Sequence, residues 1–249
     1  MQQGVRLGQT AGALHDGTRL RFLSTVDASR AAHTFRKLAR HDVRSWALTG
    51  GFAVESHDPR ESLRALNDFD FVAPDFASIP TSLTRDFLFR HVHPIDPPGK
   101  IILQFIDPDT ALRIDLFRAS GGTLHRAVII GEMGFVSRAD LIAREARLLL
   151  DLADGVAVPA KHADDYLRLV EAVDPADMDV AWADHRKPSH PVEFREVHAL
   201  LRNLIPARRS LLVTPEYSRN PAEICPRCAT EPAFPLADPE LVLALLGYC

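Results

Sequence analysis

Apolar and polar positions change period several times along this chain, and each change marks an expected element. Residues 28–40 carry a helical pattern, residues 45–48 form a short apolar strand, and Gly50-Gly51 breaks it. A helix or loop then runs to Asn67. Residues 68–73 read as the next strand, and residues 81–90 suit a short helix ended by Pro94, Pro97 and Pro98. Two β-prone runs, 100–106 and 111–117, flank Asp107-Pro108-Asp109-Thr110, a turn-rich tetrapeptide that predicts an antiparallel hairpin. Residues 127–131 supply one further strand, after which the strands are expected to be finished. Ser137 with Asp140 three residues on resembles a capping box and opens a helix to Leu150. Pro159 starts a helix to Val173, and Pro191 precedes a helical pattern over 192–204. Seven prolines between 206 and 239 predict an irregular surface segment, and Asp238-Pro239-Glu240 caps a last short helix.

This order predicts an α+β chain: a mixed sheet flanked by helices, then a mainly helical C-terminal region. The expected division is an α/β domain over 1–152 and a helical domain with the proline-rich segment over 153–249. With 249 residues and 46% hydrophobic content the chain can fill a sizeable core. Its longest apolar runs, 127–130 and 241–246, fall far short of the roughly 20 residues of a membrane helix. The first ten residues lack the basic-then-apolar order of a secretory signal, and three cysteines cannot all pair within one chain, so a cytoplasmic protein is expected. The formal net charge of -4 argues against nucleic-acid binding by bulk charge, although a local basic patch remains compatible with it.

Candidate chemistry centres on Asp68 and Asp70. Residues two apart in a strand share a face, so the two carboxylates project side by side while Phe69 and Phe71 point into a core. Close carboxylates repel unless a cation neutralises them, and hard oxygen ligands suit magnesium, which keeps water and substrate phosphates as its other ligands. In Arg113-Ile114-Asp115-Leu116-Phe117, Ile114 and Leu116 take the buried face, and Asp115 shares its own with Arg113 and Phe117. A third carboxylate on a neighbouring strand completes a set for two metal ions, one holding a triphosphate and the other activating a hydroxyl through Asp115. Gly50 and Gly51 lack a Cβ, so their backbone can approach a phosphate at a helix start, and Thr49 can add a hydroxyl.

The segment Leu48-Thr49-Gly50-Gly51-Phe52-Ala53-Val54, continued by Leu66-Asn67-Asp68-Phe69-Asp70-Phe71 and the later Asp115, resembles the nucleotidyltransferase superfamily related to DNA polymerase β. The likeness spans residues 40–120 and is strongest to the small prokaryotic branch that includes antibiotic-modifying enzymes and abortive-infection toxins. The resemblance implies that Asp68, Asp70 and Asp115 hold Mg2+, that the glycines hold phosphate, and that Lys161, near the start of a later helix, reaches triphosphate oxygens. It further implies a nucleoside triphosphate donor such as ATP, an acceptor that is a small molecule, tRNA or protein, and, for a toxin, an antitoxin partner. Two features depart from the pattern: 16 residues separate Gly51 from Asp68, and Phe52 stands where a small hydroxyl residue often follows the glycines.

Two other function classes compete. One is a catalytically silent nucleotidyltransferase fold used as a binding or regulatory module, which three intact aspartates disfavour. The other is a phosphatase of the haloacid-dehalogenase kind, which fits poorly because Val72 stands where that chemistry places Thr. Cys225 and Cys228 have zinc-knuckle spacing, and Cys249 with His198 or His190 can complete four ligands only through the fold; a simple pair of thiols is the ordinary expectation. His91 and His93 would share a face on a strand, but the neighbouring prolines predict a loop and argue against a metal role. Arg202, Arg208 and Arg209 form a short basic patch that suits either an anionic substrate or a solvated helix end. Trp46 and Trp182 are expected to be packing residues.

Overall fold

The computed structural model describes residues 28–58, 68–92, 101–110, 112–130 and 133–214. They form two compact units: the described residues up to Ala119 with Ala127–Phe135, and Ser120–Arg126 with the described residues from Val136 onward. The chain is α+β, as the patterning predicts. Its mixed sheet carries helices, and a mainly helical region follows.

In the first unit helix α1 spans Ala28–Leu38, strand β1 Ala47–Thr49, helix α2 Gly50–His57 and strand β2 Asp68–Ala73. Strands β3 (Leu88–Val92), β4 (Ile101–Ile106), β5 (Arg113–Arg118), β6 (Val128–Ile130) and β7 (Met133–Phe135) follow. The sheet order is β3-β4-β5-β2-β1-β7-β6. Strand β2 lies at its centre, antiparallel to β1 and parallel to β5. Alternation along β2 buries Phe69 and Phe71 and leaves Asp68 and Asp70 on the other face. Phe69 packs 4.2 Å from the ring of Phe35 on α1 and 5.4 Å from that of Phe52 on α2, and Phe71 packs 5.9 Å from Trp46. Each such pair contributes roughly 0.5–1.5 kcal/mol beyond its buried area, so this aromatic cluster anchors the strand from one side.

The predicted hairpin is present as antiparallel β4 and β5. Its turn is bound to α1: the fully buried Asp107 carboxylate accepts from Thr34 Oγ1 at 2.6 Å, from Lys37 Nζ at 2.6 Å and from the Asp109 N–H at 3.0 Å. Burial alone pushes the Asp107 carboxyl up, but the hydrogen bonds from Lys37 and Thr34 outweigh it and hold the group below its usual range.

The second unit holds α3 (Arg138–Leu149), α4 (Ala160–Val170), α5 (Asp179–His185) and α6 (Phe194–Ala207), with a two-stranded pairing of β8 (Val158–Pro159) and β9 (Leu212–Val213). Ser137 caps α3 as predicted, its Oγ accepting from the Asp140 N–H at 3.1 Å. The buried Asp140 carboxylate takes Arg126 Nε at 3.0 Å, Arg126 Nη2 at 2.7 Å and His185 Nε2 at 3.0 Å. Helical spacing places Ala163, Tyr166, Leu169 and Val170 of α4 and Phe194, Val197, Leu201 and Ile205 of α6 inside.

Several expected elements differ. Over 81–90 only Thr81–Arg85 turns, as a 3-10 helix, while Leu88–Val92 is drawn into an edge strand by pairing with β4. The strands do not finish at residue 131, because β7 pairs parallel with β1 through Leu48 and Phe135. Pro206 lies inside α6, one residue before its end, rather than opening an irregular segment. The remaining prolines from 215 onward and the expected last helix lie outside the described residues.

Candidate active site

The site is built by strand register. Asp70 of β2 is paired with Asp115 of β5, Asp68 is paired with Arg113, and on the other side Thr49 of β1 is paired with Asp70. Because paired residues point to the same face, Asp70 and Asp115 lie side by side and Asp68 joins them from two residues away. One carboxylate oxygen from each of Asp68, Asp70 and Asp115 lies within 4.8 Å of the others. Ile114 and Leu116 are fully buried on the opposite face of β5, the alternation expected from the sequence.

The end of β1 closes one side. Gly50 begins α2 directly after Thr49, with φ of +63°. A Cβ at this position would lie 2.8 Å from Asp70 Cγ and closer still to Oδ2. Glycine is therefore required twice, for its left-handed backbone and for the space the Asp70 carboxylate occupies. Thr49 is buried and its side chain does not cap α2. Gly51 is half-buried beside it.

Two polar neighbours bear on the carboxylates. Gln104, fully buried in the apolar run of β4, donates from Nε2 to Asp115 Oδ1 at 2.8 Å. Arg113 donates from Nη2 to Asp68 Oδ2 and places its Nε 3.4 Å from Asp115 Oδ1. Two like charges about 5 Å apart repel by roughly 3–4 kcal/mol at an effective dielectric of about 20, before solvent screening. The triad is thus a place for positive charge, which Arg113 supplies in part. All three donors are carboxylate oxygens, the ligand type that Mg2+ takes. The all-oxygen donor set and the Gly50 space beside Asp70 fit a hard divalent cation.

Strand pairing thus brings Asp68, Asp70 and Asp115 together, with Thr49 and Gly50 against Asp70. Lys161 lies in the first turn of α4 in the second unit, where its charge bears on buried Glu145. Arg202 is exposed on α6, and Arg208 and Arg209 are exposed at and beyond its end. Trp46 and Trp182 are both packed in cores, Trp182 donating to the Pro191 carbonyl at 2.8 Å. His198 accepts or donates through Nδ1 to Tyr166 at 2.9 Å, and His190 stacks on Trp182 at 5.8 Å. His91 lies on β3, while His93, Cys225, Cys228 and Cys249 lie outside the described residues. Sequence reasoning placed Arg113 on the triad's face without giving it a role, and it missed Gln104. The available signal for Gln104 is its standing as the lone polar residue of Ile101–Ile106.

No family model matches the chain, and no curated protein does. Among solved structures it is similar to a protein from H. pylori provisionally named a nucleotidyltransferase, with 10% identity, a TM-score of 0.29, and coverage of 86% of this chain and 100% of that one. Likeness at that level does not bear on function.

Proposed function

We propose that the protein is a Mg2+-dependent nucleotidyltransferase that moves a nucleoside monophosphate from a nucleoside triphosphate to a hydroxyl and releases pyrophosphate. The observation that carries this reading is the convergence of the Asp68, Asp70 and Asp115 oxygens within 4.8 Å, beside a glycine whose missing Cβ leaves room for one of them. The sequence resemblance over residues 40–120 supports it independently of geometry.

Asp68, Asp70 and Asp115 would hold the metal, two ions in the active complex. Bound magnesium neutralises triphosphate charge and makes the acceptor hydroxyl more acidic. Thr49, Gly50 and Gly51 would receive the triphosphate at the start of α2, where backbone N–H groups favour anions. By the sequence resemblance alone, Lys161 would add a point charge to the phosphates. Asp115, steadied by Gln104, would face the acceptor hydroxyl and take its proton. The acceptor oxygen then bonds to the α-phosphorus as the bond to the pyrophosphate oxygen breaks. On this reading residues 1–152 carry catalysis and residues 153–249 form the helical part of a cytoplasmic enzyme. The acceptor is a small molecule or tRNA, and an antitoxin would be the partner of a toxin of this kind.

The test is transfer of label from each α-labelled nucleoside triphosphate to total tRNA, to aminoglycosides or to the protein itself, with and without Mg2+. Magnesium-dependent incorporation with equimolar pyrophosphate, absent from Asp70→Asn, is expected. Incorporation that survives in Asp70→Asn would rule the triad out. Triphosphate binding without transfer to any of these acceptors would favour the silent module.

A further inference from the structure

Arg113 stands where the metal's charge is needed. Its guanidinium donates to Asp68 Oδ2, the register pair that strand pairing imposes, and its Nε lies 3.4 Å from Asp115 Oδ1. Oδ1 of Asp115 is already taken by Gln104 at 2.8 Å, and the Arg113 Nε, although buried, has no hydrogen-bond partner among the described residues. Arg113 is thus committed to the triad on one nitrogen and unsatisfied on another, an arrangement that leaves it poised to exchange one set of acceptors for a better one. Its side chain is about a quarter exposed, so the guanidinium has a route outward.

We propose that Arg113 is the resident counter-charge of the triad, and that it makes divalent-metal binding conditional on nucleotide. An ion held by the three carboxylates would compete with Arg113 for the charge of Asp68, and it would meet the repulsion of a nearby cation. Alone, the metal therefore competes with the guanidinium and binds weakly. A triphosphate offers Arg113 a replacement, since a planar fork of donors matches phosphate oxygens in a bidentate way that a carboxylate shared with a metal cannot. Once the guanidinium turns to the phosphates, Asp68 no longer has to be shared between Arg113 and the ion. Metal and nucleotide then each strengthen the other's binding, a coupling that is reciprocal by linkage. This inference rests on the reading that the triad holds the metal, and it assigns to Arg113 a role in the order of assembly.

The experiment is Mn2+ binding to the whole protein without nucleotide, followed by the paramagnetic resonance signal of the free ion. Wild type is compared with Arg113→Met, Arg113→Gln and Arg113→Lys, each checked for folding by circular dichroism. Arg113→Met and Arg113→Gln are expected to bind Mn2+ about tenfold more tightly than wild type, while Arg113→Lys, which keeps the charge, stays near wild type. In thermal unfolding, wild type should gain more from Mn2+ and a nonhydrolysable triphosphate together than from the two separately, and the neutral variants should lose that excess. Two results overturn the proposal alone: Mn2+ binding by wild type with no tightening in either neutral variant, or equal tightening in Arg113→Lys. Absence of Mn2+ binding in every protein, with and without triphosphate, would overturn the metal reading itself and this proposal with it.

Discussion

Replacing Gly50 with alanine should separate the site from the fold. At φ of +63° an L side chain costs about 1–2 kcal/mol. The added methyl would also lie 2.8 Å from Asp70 Cγ and 3.0 Å from Asp70 Cβ. Carbon atoms rest about 3.5–4.0 Å apart, so Asp70 must retreat by the better part of an ångström or β1 must shift from β2. Overpacking of this kind costs about 1–3 kcal/mol, which brings the total to about 2–5 kcal/mol. In urea that lowers the unfolding midpoint by roughly 1–2 M for a slope of about 2–3 kcal/mol per molar. On the proposed function, displacement of the Asp70 carboxylate by about 1 Å should cost on the order of 100-fold in transfer rate. The assay pairs urea unfolding, followed by tryptophan fluorescence, with Mn2+ titration on the same sample. A variant that unfolds at the wild-type midpoint and binds Mn2+ as wild type does would refute the reasoning, because it would mean that the space beside Asp70 is not constrained by Gly50.

Other perturbations test other parts. Gln104→Leu removes the donor that steadies Asp115 and should weaken Mn2+ binding by about 10- to 100-fold, read by titration, with a smaller effect on unfolding. Lys37→Met leaves the fully buried Asp107 without its cation and should destabilise by about 3–5 kcal/mol, measured by urea unfolding; Thr34 still bonds that carboxylate, which favours the lower figure. For Asp140, burial raises the carboxyl pKa, but hydrogen bonds from His185, Arg126 and Ser137 more than offset it and hold the group well below its unfolded value. Its contribution is therefore fully present above the unfolded value near 3.9 and is lost as pH falls from there through the folded value. Asp140→Asn should lower the thermal midpoint at pH 7 and flatten the fall of that midpoint below about pH 4; an unchanged slope would contradict the assignment.

What could be read in the sequence was whatever local pattern decides. The Asp-Phe-Asp-Phe alternation places two aromatic rings in the core and two carboxylates opposite, and no tertiary contact is needed to infer it. The hairpin turn at residues 107–110 and the Ser137 cap are likewise local. What depends on which strands become neighbours was hidden. Leu88–Val92 looked like the end of a helix because its pairing partner, β4, lies beyond a proline-rich interruption. Three-residue β7 has too few positions to show a period, and its parallel partner β1 is 87 residues away, counted from Phe135 to its register partner Leu48. The roles of Arg113 and Gln104 follow from the same cause, since each acts across a register that only the assembled sheet defines.

On the proposed function, Asp68, Asp70 and Asp115 hold a divalent ion together with a nucleoside triphosphate. Thermal unfolding of the protein with each of the four triphosphates, with and without Mg2+, beside an Asp68→Ala, Asp70→Ala double variant, tests it without knowledge of the acceptor. A ligand at 100 times its dissociation constant adds about 2.7 kcal/mol, equivalent to a midpoint rise of roughly 5–10 °C for a chain of this size. Such a rise is expected with at least one triphosphate, only in the presence of Mg2+, and none in the double variant. A rise of the same size in the double variant, or no rise with any triphosphate, would contradict it.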